Sequence, residues 1–129
     1  MATLKILVVD DEPGIRSGIH RILKNFKVDY PFMDEYFDFE VLEAASGEEA
    51  LEYIDNDQPD LILLDNKLPG IQGVEVLEYV RKNNLDIIVV MITSYASLEL
   101  AVKATSDGAY DFIPKPFTPQ ELKASLENI

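Results

Sequence analysis

Five side chains stand just past short apolar runs. Asp10 and Asp11 follow Ile6-Leu7-Val8-Val9, and Asp65 follows Leu61-Ile62-Leu63-Leu64. Thr93 follows Ile87–Ile92, and Lys115 lies just beyond Tyr110–Ile113. If the runs are neighbouring strands, all five meet at one sheet edge. Three carboxylates gathered there repel one another, and such a cluster persists only beside a cation or with raised pKa values. The matching cation is hard and oxygen-loving, which points to Mg²⁺. Lys115 brings a point charge and Thr93 a hydroxyl donor, which suit the oxygens of a phosphoryl group. A carboxylate in that company is equipped to accept a phosphoryl group as an acyl phosphate.

Asp65 is the centre of the pattern. The apolar run before it fits a strand buried on both faces, and Pro69-Gly70 turns the chain just after it. Ligand sites collect at that edge of an open parallel sheet.

The elements that must hold these residues alternate. Lys5–Val9 reads as a first strand. Ile15, Ile19, Ile22, Leu23 and Phe26 form one helical stripe behind Pro13. Phe39–Ala44 reads as a second strand, and Ser46 with Glu49 predicts a capping box for a helix carrying Ala50, Leu51 and Ile54. Leu61–Leu64 is a third strand, and Val76, Leu77 and Val80 mark a third helix. Ile87–Ile92 is a fourth strand, and Leu98, Ala101, Val102 and Thr105 give a weaker fourth helix. Tyr110–Ile113 is a fifth strand. Thr118 and Glu121, with Pro119 between them, predict a capped last helix lined by Leu122, Leu126 and Ile129. Five βα units in a row predict an α/β fold: a doubly wound five-stranded parallel sheet with right-handed crossovers.

The 129 residues suit one domain, 1–129, and 47% hydrophobic content suits a globular core. There is no cysteine, no signal-peptide h-region and no apolar run long enough to span a bilayer, which fits a cytoplasmic protein. The net charge of −13 is unevenly spread: no Lys or Arg occurs from Val28 to Asn66, where thirteen of the 24 acids fall. The rest is balanced, so no basic patch is available for direct binding of nucleic acid. Residues 26–39 hold half of the aromatics (Phe26, Tyr30, Phe32, Tyr36, Phe37, Phe39) among acids. The stretch exceeds an ordinary helix-to-strand connection and reads as an extension of the first helix plus a structured loop. Either it packs onto that helix, or it offers a surface to a partner. The last helix lacks a closing signal, which leaves room for an output domain beyond residue 129.

The motifs Val8-Val9-Asp10-Asp11-Glu12, Leu64-Asp65-Asn66-Lys67-Leu68-Pro69-Gly70 with Gly73, Ile92-Thr93-Ser94 and Gly108–Phe117 resemble, in order, those of the response-regulator receiver domains of two-component signalling. The resemblance runs from Ile6 to about Leu126. It implies a flavodoxin-like sheet of order 2-1-3-4-5. It implies that Asp65 is the phosphoacceptor, served by a phosphohistidine on a sensor histidine kinase or phosphotransfer protein. Asp11 would ligate Mg²⁺ directly, Asp10 through water, and the backbone carbonyl of Lys67 would be a further ligand. Lys115 would contact the phosphoryl group and precede a cis bond to Pro116. Thr93 would swing toward the phosphoryl oxygen and Phe112 would rotate inward behind it. The switched surface would be the fourth helix, fifth strand and fifth helix of that pattern, near Glu99, Leu100, Lys103, Tyr110 and Lys123, through which a homodimer could form. Lys67 and Tyr95, two residues beyond Asp65 and Thr93, would tune the lifetime of the phosphoryl group. The only reactions implied are the domain's own phosphorylation and dephosphorylation.

Plainer readings compete. Asp10 and Asp11 could be a solvated helix start, Thr93-Ser94 an N-cap, Lys115 a surface lysine and Phe112 a core residue. His20 reads as an exposed helix residue rather than a relay histidine. One rival function is a Mg²⁺-dependent aspartyl-phosphate phosphatase, but such enzymes place an acid where Lys67 stands. The other is a receiver-like scaffold that is never phosphorylated, against which the full set Asp10, Asp11, Asp65, Thr93 and Lys115 argues.

Overall fold

The strand Leu61–Asp65 is apolar until its last residue because helices cover both of its faces. The computed structural model describes residues 2–30, 33, 35–94, 103, 106 and 108–129. In chain order these form β1 (Ala2–Val9), α1 (Pro13–Leu23), β2 (Val28–Asp29), β3 (Tyr36–Ala44), α2 (Gly47–Asn56), β4 (Leu61–Asp65), α3 (Gly73–Lys82), β5 (Ile88–Ser94), β6 (Asp111–Lys115) and α4 (Pro119–Glu127). The sheet order is β2-β3-β1-β4-β5-β6. All pairs are parallel except β2 with β3. The expected five-stranded order is therefore present as β3-β1-β4-β5-β6, and a short antiparallel strand extends it to six. The fold is the flavodoxin-like one.

Alternation along the strands divides the core in two. Leu7, Val9, Ile62, Leu64, Val89 and Met91 face α2 and α3, meeting Ala50, Ile54, Val76, Leu77 and Val80. Ile6, Val8, Leu61, Leu63, Val90 and Ile92 face the other way, against Ile19 and Leu23 of α1 and Leu122 and Leu126 of α4. Among the described residues no helix is long and apolar enough to cross a membrane.

Local capping accounts for where helices begin. The Thr118 hydroxyl accepts from the Glu121 N–H at 3.1 Å, and the Glu121 carboxylate accepts from the Thr118 N–H at 3.0 Å. At α2 the expected box is altered. Ser46 accepts from the Glu49 N–H, but the Glu49 carboxylate reaches one residue further back, to the Ala45 N–H at 2.6 Å. The α3 box, Gln72 with Glu75, is one the sequence reading did not pick out.

Residues 26–39 overturn the expected helix extension. Helix α1 ends at Leu23, and Phe26 lies beyond it. The chain instead adds β2, and β3 begins at Tyr36 rather than Phe39. Phe37 and Phe39 sit two apart and so share a face. Tyr30 packs on Phe37 and Phe26 stacks on Phe39, with ring centroids 5.5 and 5.9 Å apart. Val28, Tyr30 and Phe37 thus form a third cluster with Leu4 and Ile129. The aromatics packed in this way bind the end of α4: the buried Tyr30 hydroxyl donates to the Leu126 carbonyl at 2.9 Å. The Lys123 ammonium lies 5.5 Å from the centre of the Phe26 ring. On the outer side Tyr36 is 57% exposed.

The fourth helix expected from Leu98, Ala101, Val102 and Thr105 lies outside the described residues, as do Glu99, Leu100 and Tyr95. Lys103 is described and exposed.

Removing the Tyr30 hydroxyl leaves the Leu126 carbonyl without that buried donor. Tyr30→Phe is expected to lower the unfolding free energy by about 1 kcal/mol. A shifted urea midpoint at unchanged slope would verify it; an unchanged midpoint would refute the clamp.

Candidate functional site

Register alone assembles the site. Val9 pairs with Leu64, so Asp10 and Asp65 leave β1 and β4 at the same level. Asp65 pairs with Ile92, and Thr93 pairs with Pro114. Thr93 is thereby carried one step past Asp65, and Lys115 two steps, at the same sheet edge. Asp10 is 2% exposed, Thr93 3% and Asp65 6%. The plainer reading of Asp10 as a solvated turn residue fails on that burial.

Lys115 sits between the two acids. Its Nζ lies 2.7 Å from Asp10 Oδ2 and 3.3 Å from Asp65 Oδ2. A surface lysine is thus excluded. Burial pushes the Asp65 carboxyl above the usual carboxylate range. The Lys115 ammonium and the Lys67 N–H oppose that shift, while the charge of Asp10 adds to it. Burial by itself would lower the Lys115 pKa, but the Asp10 and Asp65 carboxylates outweigh it and hold the ammonium above its ordinary value. The peptide bond from Lys115 to Pro116 is cis, as the resemblance implied.

Asp10 is held on every side. Its Oδ1 accepts from the Glu12 N–H at 2.9 Å, and its carbonyl accepts from Arg16 Nη1 at 2.6 Å. Arg16 also donates through Nε to Glu43 at 3.1 Å, which ties α1 to β3. Nothing in the sequence pattern singled out Arg16, because its partners come from other elements. Oxygen atoms of Asp10, Asp11 and Glu12 lie within 4.8 Å of one another. Asp11 and Glu12 are exposed, and Asp10 is buried. This acidic pocket offers hard oxygen donors facing solvent, which fits Mg²⁺. Glu12 is a member the reading did not name as a ligand, though it stands third in the run of acids.

The loop after Asp65 is locked to α3. The Asn66 carbonyl accepts from the Gly73 N–H at 2.9 Å, and Asn66 Oδ1 accepts from the Val74 N–H at 3.2 Å. Gly73 has no room for a side chain: a Cβ there would lie 2.2 Å from the Asp65 carbonyl oxygen. Phe112 does not join the core. It is 37% exposed, so the core-packing reading is set aside. The Asp111 carboxylate accepts from the Phe112 N–H at 2.8 Å and from the Ser125 hydroxyl at 3.0 Å, fastening β6 to α4. His20 is exposed as read, with Nδ1 3.5 Å from Glu43.

Comparison with known proteins points one way. Residues 6–127 match the family described as response regulator receiver domain. The chain is 32% identical over 127 residues to sporulation initiation phosphotransferase F of Bacillus subtilis, covering 98% of this chain and 94% of that protein. It is 35% identical to the phosphate regulon transcriptional regulatory protein PhoB of Escherichia coli, covering 97% of this chain but only 51% of that protein. Against several such regulators, then, the chain spans about half their length. Among solved structures, the receiver domain of NtrX from Brucella abortus superposes with a TM-score of 0.79 at 35% identity, covering 95% of each chain. A response regulator receiver domain protein from Clostridium thermocellum gives 0.79 at 31% identity, covering 97% of this chain and 92% of that one.

The raised pKa of Asp65 carries a sign. A carboxyl that binds its proton more tightly when folded makes folding less favourable as pH rises from its unfolded pKa through its folded one. In metal-free protein, Asp65→Asn is therefore expected to be more stable than the parent at pH 7, since Lys115 keeps Asp10 as its partner. The gain should shrink as the pH falls to the ordinary carboxylate range. Thermal midpoints across pH 3–8 would check this; a gain that grows on acidification would contradict it.

Proposed function

The chain belongs to the response-regulator receiver family, and from that premise we propose that Asp65 is its phosphoacceptor, charged by a phosphohistidine of a sensor histidine kinase or phosphotransfer protein. It is a signalling domain of the two-component type. The observation that carries the assignment is the Lys115 ammonium lying between the buried carboxylates of Asp10 and Asp65.

In this reading an Asp65 carboxylate oxygen attacks phosphorus, the P–N bond to the donor imidazole breaks, and the acyl phosphate remains on Asp65. Lys115 leaves Asp65 for a phosphoryl oxygen, and the Thr93 hydroxyl donates to another. Asp10, Asp11 and Asp65, with the Lys67 carbonyl, would hold Mg²⁺, which would neutralise charge on the transferring group. Glu12 adds a nearby acidic oxygen. Burial of Asp65 keeps bulk water from its carboxylate.

The same reading gives Phe112 the switch. The exposed ring turns inward once Thr93 moves toward the phosphoryl group, which shifts a two-state equilibrium. Tyr110, just before β6, and Phe112 within it are exposed, so in this reading the surface of β6 and α4 belongs to the output and homodimer face. Residues 1–129 make one receiver unit, cytoplasmic, with the aromatic segment as an internal strap. Whatever the longer relatives do through their remaining halves is not carried over.

Labelling by a small acyl-phosphate donor tests the assignment. One equivalent of alkali- and hydroxylamine-labile phosphate is expected, and none is expected to form when Mg²⁺ is chelated or in Asp65→Asn. Label that survives Asp65→Asn would overturn it. The Lys67 side chain is exposed, and in this reading it slows the approach of water to Asp65. Lys67→Ala is expected to speed loss of the label severalfold, and an unchanged half-life would remove Lys67 from that role.

A further inference from the structure

The loop that follows Asp65 is held from a second side, by the first turn of α2. Glu48 Oε1 accepts from the Ile71 N–H at 3.1 Å. The other carboxylate oxygen lies against Gly70, where a Cβ would come within 2.3 Å of it. Gly70 has φ +73, the left-handed value that the turn after Pro69 requires at its third position. Gly47, next to Glu48, admits the Ile71 carbonyl oxygen so closely that a Cβ would lie 2.4 Å from it. Inside the loop, Gln72 Nε2 donates to the Leu68 carbonyl at 2.8 Å and to the Gly70 carbonyl at 3.3 Å. The loop is thus fixed to α3 by Asn66 and to α2 by Glu48.

We infer that Glu48 is a positioning residue for the phosphoacceptor site, holding the loop that carries Lys67 just past Asp65. The inference rests on the receiver reading above and deepens it. Lys67 stands two residues past Asp65, and its N–H lowers the pKa that burial raises at the Asp65 carboxyl, so the loop's path sets how that amide faces the carboxylate. The carbonyl of the same residue, given to Mg²⁺ in that reading, moves with it. Among the described residues no hydrogen bond or ion pair joins Glu48 to Asp65 or the acidic turn; its hydrogen bond is to the Ile71 amide, four residues past Lys67. An outer contact that orients a ligand tunes metal affinity without binding the metal. Glu48 acts through one accepting oxygen, so its charge is not needed. Glutamine supplies the same acceptor and alanine does not.

The test is Mg²⁺ titration by calorimetry of the unphosphorylated protein, the Glu48→Ala variant and the Glu48→Gln variant, with exchange of the Ile71 amide followed by NMR. Loss of one hydrogen bond corresponds to weakening of about threefold to tenfold in Glu48→Ala. Exchange at Ile71 should quicken in that variant, whereas Glu48→Gln keeps both values within about twofold of the parent. Unchanged Mg²⁺ affinity in Glu48→Ala would overturn the inference. So would Glu48→Gln weakening as far as Glu48→Ala, since charge and not position would then be the cause. A parent protein that binds no Mg²⁺ would sink the receiver reading itself, a result distinct from either.

Discussion

The ammonium of Lys115 lies between two buried carboxylates, and the rest of the structure depends on that arrangement. Taking Asp10 and Asp65 out of water is costly, and placing them together adds repulsion. One cation shared between them offsets both effects. Lys115 can reach both only because it sits at the end of β6, two strands from β4 and three from β1. The parallel sheet brings all three strand ends to one edge. Helices on both faces keep that edge rigid.

The compensation is partial. Asp65 still holds its proton more tightly than a free carboxyl, so the site is left under electrostatic tension. Such tension suits a group that must exchange partners. Asp65 gains when a further cation arrives, and Lys115 can leave it for another anion while keeping company with Asp10. Perturbed groups at functional sites follow this pattern. The backbone around them does not share the looseness. Arg16 holds the Asp10 carbonyl, Asn66 and Gly73 hold the turn after Asp65, and Glu48 holds the far side of the same loop.

The aromatic strap uses the same logic in an apolar setting. A longer connection between α1 and β3 would expose six aromatic rings' worth of sequence if left loose. Pairing β2 with β3 turns Phe37 and Phe39 toward Phe26 and Tyr30, and the cluster closes over Ile129. The result fastens α4 at its end. Tyr110 fastens it again, donating its hydroxyl to the Asn128 carbonyl, while Asp111 and Ser125 join β6 to the helix flank. The last helix and the strand bearing Phe112 are therefore mechanically one piece.

Much of this was legible from residue order. Short apolar runs located the strands and a 3.6-residue period the helices, and Pro-Gly and Ser/Thr-Glu pairs marked their ends. Carboxylates following Val9 and Leu64 had to lie at one edge once the sheet was parallel, so Asp10, Asp65, Thr93 and Lys115 could be grouped in advance. What local pattern could not decide was anything set by contacts far apart in the chain. The strand at Val28–Asp29 exists only because Tyr36–Phe37 offers it a partner; two residues carry no periodicity of their own. Helix α1 stops at Leu23 although Phe26 continues its stripe, because the Phe39 ring is a better place for that side chain than solvent. Core packing and a switch role both suited Phe112 in sequence, and only its exposure in the fold sets core packing aside. Arg16 and Glu48 are ordinary helix charges until the fold sets a carbonyl or an amide before them. Sequence determined which groups reach the sheet edge, because chain direction and alternation are local properties. Tertiary structure decided which groups hold them there, because those partners are chosen by proximity in space.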